Sequence, residues 1–314
     1  MKLSMKPMIA ALALMGSLAA APAMAAVDWA GVQGKEVVLF YPGQSPWEWV
    51  LTPTDHSGAP RFRDGKNCHE CHAGEEKSMG SLLVSGKKNE PTPIADKPGF
   101  VTANVKFAHD DTNLYVHLEF AEGTQPDAKM DPDFATKVTM ILNDGKVPEA
   151  NRAGCWGACH DDASLMPSAN GATRTKYLSK TRAKLSRQGG GDDLKPADDL
   201  AKLKADGYYL EYWQARLNPG AAAVAANGTV FDKREEVKPT EVKADATLAN
   251  GVWSVTFTRK LTAGGVFKNI AAGTPYTVGF AIHSGHTSKR FHYVSFEHSL
   301  AIDTGTADFV AVKK

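Results

Sequence analysis

The sequence has almost no net charge, because 36 lysine and arginine residues are nearly balanced by 35 aspartate and glutamate residues. This balance argues against nucleic acid as a partner, since a protein that binds the phosphate backbone needs a surplus of positive charge. Beyond residue 25 there is also no apolar run long enough to cross a membrane. No Ser/His/Asp order, glycine-rich phosphate loop or paired-carboxylate motif stands out. The common hydrolytic and nucleotide-dependent activities therefore have no support.

Cysteine is scarce as well, and the four that are present fall into two short motifs. These motifs are Cys68-His69-Glu70-Cys71-His72 and Cys155-Trp156-Gly157-Ala158-Cys159-His160. Two cysteines on a short arc, followed directly by histidine, form the signature of covalent haem attachment. The thiols add to neighbouring vinyl groups of the porphyrin, and the histidine becomes the proximal ligand of the iron. The sequence therefore predicts two haem c groups, with attachment through Cys68, Cys71, Cys155 and Cys159 and proximal ligation by His72 and His160.

Two other interpretations of the cysteines compete with haem. The four thiolates could bind one structural zinc ion, because paired cysteines at this spacing are common in zinc sites. They could also form disulfides, which an oxidising compartment favours. Neither interpretation requires the histidine that ends each motif. The second motif has three residues between its cysteines instead of two, which a slightly wider loop can accommodate.

The N-terminus predicts export. Residues 1–25 have the pattern of a secretory signal peptide, with Lys2 and Lys6 before a short apolar core and Ala23-Met24-Ala25 as a cleavage site. The apolar core is too short to span a bilayer comfortably. We therefore expect a soluble protein of the bacterial periplasm, where haem c is attached, without stable membrane insertion.

Short segments in which apolar and polar residues alternate predict a mainly β fold. We expect a β-sandwich with loop and short-helix insertions that carry the haems. The predicted strands are 36–41, 114–120, 136–142, 208–217, 252–258, 276–283 and 291–296. Residues 51–98 are rich in Pro, Gly, Asp and Lys and predict an irregular loop. We expect three parts: the signal peptide 1–25, an N-terminal segment 26–98 with the first motif, and a β-sandwich domain 99–314. The second motif falls in an insertion, 144–206, to which helix is confined.

A family resemblance rests on the Cys-Trp motif, on Asp161, Asp162 and Met166-Pro167 after it, and on the segment 281–296. These features resemble the haem-binding domain of the ethylbenzene dehydrogenase γ subunit, of related type II members of the dimethyl sulfoxide reductase family, and of certain c-type cytochromes. The resemblance covers roughly residues 90–310 and implies a β-sandwich that holds haem and transfers electrons. In the γ subunits a methionine and a lysine hold a b-type haem without covalent links. The cysteines of this sequence differ from that pattern and resemble the c-type members instead.

The sixth ligands of the two irons are predicted from the remaining histidines and methionines. For the second haem we favour His292, which aligns with the lysine ligand of the resembling subunits and shares an apolar strand face with Val294 and Phe296. The alternatives are Met166, which lies in the region of their methionine, and His283 and His286. For the first haem we favour His56, which lies twelve residues before Cys68 on the same predicted loop. His117 is the next candidate.

Two covalent haems in an exported chain predict a relay that passes single electrons between redox protein partners. One alternative is a haem enzyme in which an iron without a protein sixth ligand reacts with a small molecule. Another is the cytochrome subunit of a molybdenum oxidoreductase. Carbon monoxide, which binds an open ferrous iron, separates the first alternative from electron transfer, and co-purification of a partner tests the second.

Overall fold

The computed structural model describes residues 27–45, 47–158, 178–184 and 193–314. The predicted signal peptide lies outside these residues. The helices are α1 (Trp47–Val50), α2 (Ala59–Arg63), α3 (Cys68–His72), α4 (Glu76–Val84), α5 (Pro148–Gly157) and α6 (Ala197–Ala205), with 3-10 turns at Trp29–Gly31 and Ser179–Thr181. The strands are β1 (Lys35–Phe40), β2 (Phe100–His109), β3 (Asn113–Ala121), β4 (Thr136–Asn143), β5 (Leu210–Leu217), β6 (Val224–Val230), β7 (Arg234–Glu236), β8 (Val242–Ala249), β9 (Val252–Lys260), β10 (Tyr276–His283), β11 (Tyr293–Val294), β12 (His298–Ile302) and β13 (Phe309–Lys313).

The strands form one continuous, mostly antiparallel arrangement in the order β7-β6-β5-β4-β10-β11-β1-β2-β3-β9-β8. β12 pairs with β10, and β13 joins β12 to β2 in parallel. The arrangement folds over on itself, because Trp213 on β5 lies 6.3 Å from Phe257 on β9 between ring centres, although these strands are not neighbours. The fold is therefore mainly β and sandwich-like, as the sequence predicts.

An ion pair connects the two layers inside this core. Arg259 on β9 donates to both carboxylate oxygens of Glu211 on β5, at 3.0 and 2.8 Å, and both side chains are completely buried. The indole of Trp213 donates to the same carboxylate at 2.6 Å. The paired geometry satisfies charges that would otherwise be costly to bury.

A second apolar cluster covers the outer face of the sheet and involves the helices. It joins Phe40 on β1, Ala281 on β10 and Val294 on β11 to Trp47, Phe62 and Trp156 from the helices. Successive side chains of a strand point to opposite faces, so β1 contributes Leu39 to the inner core and Phe40 to this outer cluster. The first cysteine motif and the described residues of the second, 155–158, lie on this outer side.

Most predicted strands are confirmed, with boundaries shifted by a few residues, whereas the prediction for residues 51–98 is wrong. That segment contains α2, α3 and α4 instead of an irregular loop, and α5 occupies part of the predicted second-motif loop. Helix is therefore not confined to the insertion. The first three helices have only four or five residues each, too short to be stable alone, so their packing on the sheet stabilises them more than their own propensity does. Among the described residues, no helix combines the length and apolar character that a membrane crossing requires.

Candidate haem sites

The first cysteine motif forms the one-turn helix α3. Its N-terminus is fixed by a capping box, in which the side chain of Asn67 accepts from the Glu70 amide at 2.9 Å and that of Glu70 accepts from the Asn67 amide at 2.8 Å. Residues three and four apart share a face of a helix, so Cys68, Cys71 and His72 are presented together. This local geometry places the two thiols and the imidazole on one side, as haem attachment requires.

That side borders a cavity of about 720 Å³ on the outer face of the sheet. This volume falls within the range of about 300–1,000 Å³ that is typical of small-molecule and cofactor sites. Apolar side chains form most of its wall, and basic side chains join them. The lining includes Phe40, Trp49, Val50, Phe62, Met79, Leu83, Trp156 and Phe296, with Arg61, Lys66 and Lys88 as the cationic members. Such a wall suits a large apolar group with acidic substituents.

His56 and His72 both line this cavity, and their ring centres are 6.1 Å apart. A histidine nitrogen binds a metal at about 2 Å, and the ring centre lies about 1 Å behind it, so two imidazoles that share one metal have centres about 6 Å apart. The observed separation matches this value. The first motif and His56, the favoured sixth ligand, therefore fit a haem iron held between two histidines.

Hydrogen bonds select the tautomer of both rings. Nδ1 of His56 donates to the Val50 carbonyl at 3.0 Å, and Nδ1 of His72 donates to the Glu75 carboxylate at 2.9 Å. With the proton on Nδ1, each ring carries its lone pair on Nε2, the usual arrangement of a metal-binding histidine. Burial lowers the pKa of His56, the Val50 bond opposes this shift, and the nearby His72 adds to it. A lowered pKa favours the neutral form that binds iron.

His117, the other candidate for the first haem, lies elsewhere. It is on β3, stacks on Trp29 with ring centres 4.7 Å apart, and its Nδ1 lies 2.9 Å from the Thr256 hydroxyl. His69, inside the motif, is not part of the cavity wall and faces His298 with ring centres 5.5 Å apart. The structure thus brings only His56 of the two candidates opposite His72.

The second motif begins at the end of α5, and only its first four residues, 155–158, are described. Cys155 is buried and packs on β10, where a Cβ at Gly279 would lie 2.4 Å from the Cys155 amide nitrogen. The Trp156 amide reaches the Ser295 carbonyl at 3.4 Å. Cys159, His160 and Met166 lie outside the described residues, so their predicted roles stay predictions.

His283 and His292 lie on the same outer face as Cys155. Along β10, Gly279, Ala281 and His283 alternate with the inward-facing Phe280 and Ile282. His283 and His292 are both buried, and their rings stack with centres 4.6 Å apart. Two of the side chains predicted as sixth ligands of the second haem are therefore adjacent, and they share a sheet face with Cys155.

The Lys289 carbonyl distinguishes the two stacked histidines. It accepts from Nδ1 of His292 at 2.6 Å and from Nε2 of His283 at 3.0 Å. His292 therefore has its lone pair on Nε2, as His56 and His72 do, whereas His283 has it on the more crowded Nδ1. His286 lies in the connection between β10 and β11, where its Nδ1 donates to the Asp131 carbonyl at 2.8 Å. His292 and His286 therefore share the tautomer that suits an iron ligand, whereas His283 has the other one, and of the two only His292 is buried.

The zinc interpretation finds no support in the described part of the chain. There, no three His, Cys, Asp or Glu side chains converge in a group that could hold a metal ion unaided. A haem iron takes four of its ligands from the porphyrin, so it needs only one or two side chains from the protein.

Sequence reasoning missed the groups that orient the histidines. Glu75, Val50 and Lys289 supply the hydrogen bonds to the rings, two of them through backbone carbonyls, for which no side-chain signal exists. The two tryptophans of α1 lie in different places: Trp49 lines the cavity, whereas Trp47 is buried against Trp156. The Asn67-x-x-Glu70 capping pattern could have revealed α3.

Comparisons with known proteins add the following. No family model matches the sequence. Cytochrome c-552 of Stutzerimonas stutzeri is 36% identical over 304 residues, which cover 95% of this chain and 94% of that protein. Cytochrome c-551 of Rhodocyclus tenuis is 27% identical over 290 residues, which cover 92% of this chain and 100% of that protein. Among solved structures, a family 9 carbohydrate-binding module from Caldicellulosiruptor kristjanssonii, in complex with cellotriose, has a TM-score of 0.31 and 12% identity over 68% of this chain and 75% of that one.

Proposed function

This chain belongs to the cytochrome c-552 family of c-type cytochromes, and on that premise we propose that it carries two covalent haems and passes single electrons between redox proteins of the periplasm. When bound, haem supplies an iron that alternates between ferric and ferrous states. The chain's own residues attach it, orient its ligands and exclude water. The opposition of His56 and His72 across the cavity carries the proposal.

In the proposed first site, Cys68 and Cys71 hold the porphyrin and His72 and His56 bind the iron. Hydrogen bonds to Glu75 and Val50 keep both imidazoles in the tautomer with the lone pair on Nε2. With both imidazoles bound, the iron would have no open position for a substrate. This arrangement supports electron transfer over small-molecule chemistry at that iron.

In the proposed second site, Cys155 and Cys159 attach the haem, His160 is proximal and His292 is the sixth ligand. The Cys155 contact with β10 and the tautomer of His292 support this assignment. Met166, His283 and His286 stay as alternatives. The resemblance to the γ subunits of molybdenum oxidoreductases belongs to the same proposal and makes such an enzyme one candidate partner.

The proposed location and division of the chain follow from the sequence. Residues 1–25 are proposed as the leader that directs export, residues 26–98 as the segment that brings the first haem, and residues 99–314 as the sandwich that brings the second. The first segment also supplies β1, which pairs with β2 and β11 in the middle of the sheet. The contribution of β1 to this sheet supports a proposal in which the haem of residues 26–98 would lie against the sheet that residues 99–314 complete.

Mass spectrometry of the mature protein from a host that matures c-type haem tests the proposal. We expect a mass equal to the polypeptide without residues 1–25 plus two haems. Cys71→Ala and Cys155→Ala serve as matched variants, each expected to lose the covalent link at its own site. A parent mass with one haem, or with zinc, contradicts the dihaem proposal.

Absorption spectra of the reduced protein, with and without carbon monoxide, separate transfer from catalysis. Two six-coordinate irons should give a spectrum that carbon monoxide leaves unchanged over minutes. A rapid carbon monoxide shift of either haem would favour the enzymatic alternative.

A further inference from the structure

Trp156 links the two haem sites. In the chain it follows Cys155 directly, within the second attachment motif, yet its side chain lines the cavity beside the first. The indole is buried and meets Trp47 edge-on, with ring centres 5.6 Å apart. One residue of the second motif is therefore part of the wall of the first site.

The backbone fixes this placement. Gly154 interrupts α5 with φ +56° and ψ −138°, a conformation that is essentially restricted to glycine. A Cβ at this position would lie 2.3 Å from the Phe296 carbonyl carbon, so α5 passes directly against the connection between β11 and β12 there. The kink turns the helix end so that Cys155 packs on β10 while Trp156 points to the cavity.

Contacts between the helices hold the two motifs at a fixed separation. Arg152 on α5 donates to the Lys66 carbonyl just before α3, from Nη2 at 2.9 Å and from Nε at 3.2 Å. Its guanidinium also lies 3.9 Å from the ring centre of Phe62, a cavity-lining residue. The first cavity and the start of the second motif are therefore joined by polar and aromatic contacts.

We propose that Trp156 is the residue that couples the two haems for electron exchange within the chain, an inference that rests on the proposed dihaem function. The electron leaves one iron, which goes from ferrous to ferric, and reaches the other, which goes from ferric to ferrous. No bond forms or breaks and no proton moves. The indole remains neutral and provides π orbitals between the Cys155 thioether link and the first cavity.

Few covalent bonds separate the Cys155 sulfur from the indole of Trp156. The Cys155 sulfur is connected to Trp156 through a single peptide unit, and the indole then contacts the space of the first site directly. Electron tunnelling weakens steeply with distance and more steeply through gaps than through bonds. An aromatic ring at this point therefore increases the coupling more than an aliphatic side chain of similar volume does.

The test compares Trp156→Phe and Trp156→Leu with the parent protein. After rapid injection of one electron by a photoreductant, the rate of equilibration between the haems is followed optically, and each haem's potential is measured separately. We expect Leu to slow equilibration by at least an order of magnitude at matched driving force, and Phe to recover a large part of the rate. Trp29→Leu, which replaces a tryptophan that stacks on His117 outside the cavity wall, should leave the rate unchanged.

The outcomes are distinguishable. Equal rates in the parent and both variants, after correction for the potentials, overturn the role of Trp156 while leaving the dihaem function intact. A parent protein with one haem by mass spectrometry contradicts the proposed function itself. If Trp156→Leu fails to load both haems, the comparison of Trp156→Phe with the parent decides, since loss of the larger ring should still slow the exchange measurably.

Discussion

His56 and His72 face each other across the first cavity with ring centres 6.1 Å apart, and each donates from Nδ1 to an oxygen of the protein. Sixteen positions separate them in the chain, and the interval contains α2 and all of α3 before its last residue, His72. The helices therefore create the opposition that the sequence alone only suggests.

The first prediction replaces His56 by methionine. The haem should stay attached through its cysteines, while its potential rises because a thioether ligand favours ferrous iron. Potentiometric titration followed by absorption measures the change. His117→Met is the matched control, since His117 packs on Trp29 and Thr256 instead of the cavity. A shift with His117→Met and none with His56→Met would reverse the assignment.

The second prediction concerns the stacked histidines of the other site. His292→Met should raise the potential of the second haem, because the Lys289 carbonyl fixes the His292 lone pair on Nε2. His283→Met is the matched control, because His283 is the buried neighbour of His292 and has its lone pair on Nδ1 instead of Nε2. The iron ligands of the second haem should therefore stay the same in this variant. The sulfur-to-iron absorption band reports which variant gains a thioether ligand. Its appearance in His283→Met would identify His283 as the ligand.

The third prediction tests the kink in α5. Gly220→Ala is the control, because Gly220 also has positive φ, +75°, but nothing lies within 4 Å of the added Cβ. Its cost should be about 1 kcal/mol, from the backbone alone. Gly154→Ala should lose a further 1–3 kcal/mol or so of unfolding free energy, because the Cβ overlaps the Phe296 backbone. Chemical denaturation measures both, and equal costs would mean that the connection between β11 and β12 shifts easily to make room for the Cβ.

The fourth prediction uses Glu297, whose carboxylate accepts from the His69 amide in α3 at 3.0 Å. Burial raises the pKa of Glu297 to about 7, and the negative charges of Asp308 and Glu70 contribute to the rise. His298, which lies beside His69, adds no compensating positive charge near neutrality, because burial lowers its pKa to about 4. The folded protein therefore retains a proton on Glu297 that an unfolded chain has released.

The sign of the effect follows from proton binding. An exposed glutamate has a pKa of about 4.3, so between about pH 4.3 and pH 7 the folded state binds more protons and its stability falls as pH rises. Glu297→Gln removes this loss, which is on the order of 3 kcal/mol at pH 8. Denaturation at pH 4 and pH 8 should show the variant gaining relative stability at the higher pH. A difference that does not change with pH would contradict the buried-carboxylate account.

The strands could be predicted, and the two cysteine motifs recognised as candidate haem sites, because their signals are local. Leu114, Val116 and Leu118 alternate with less apolar neighbours, and a half-buried strand requires that period. The spacing from Cys68 to His72 is dictated by the porphyrin edge. Such constraints involve few residues, so one sequence is sufficient to recognise them.

The short helices and the ring-orienting groups could not be predicted in this way. α2 and α3 have five residues each and depend on packing against the sheet, which composition does not encode. The partners of His56 and His292 are backbone carbonyls, whose positions are set by the tertiary fold. The place of Trp156 in the first cavity likewise depends on a glycine kink and on contacts between distant helices.

Neighbouring residues of the six-residue strand β1 face different surroundings, so changes at them affect different properties. Leu39 packs into the interior between the layers, whereas Phe40, the next residue, forms part of the cavity wall. Changes at inward positions should alter the free energy of unfolding, and changes at outward positions should alter the polarity of the cavity in which we propose a haem. In the proposed cytochrome, stability and reduction potential would then be separately adjustable through a single strand.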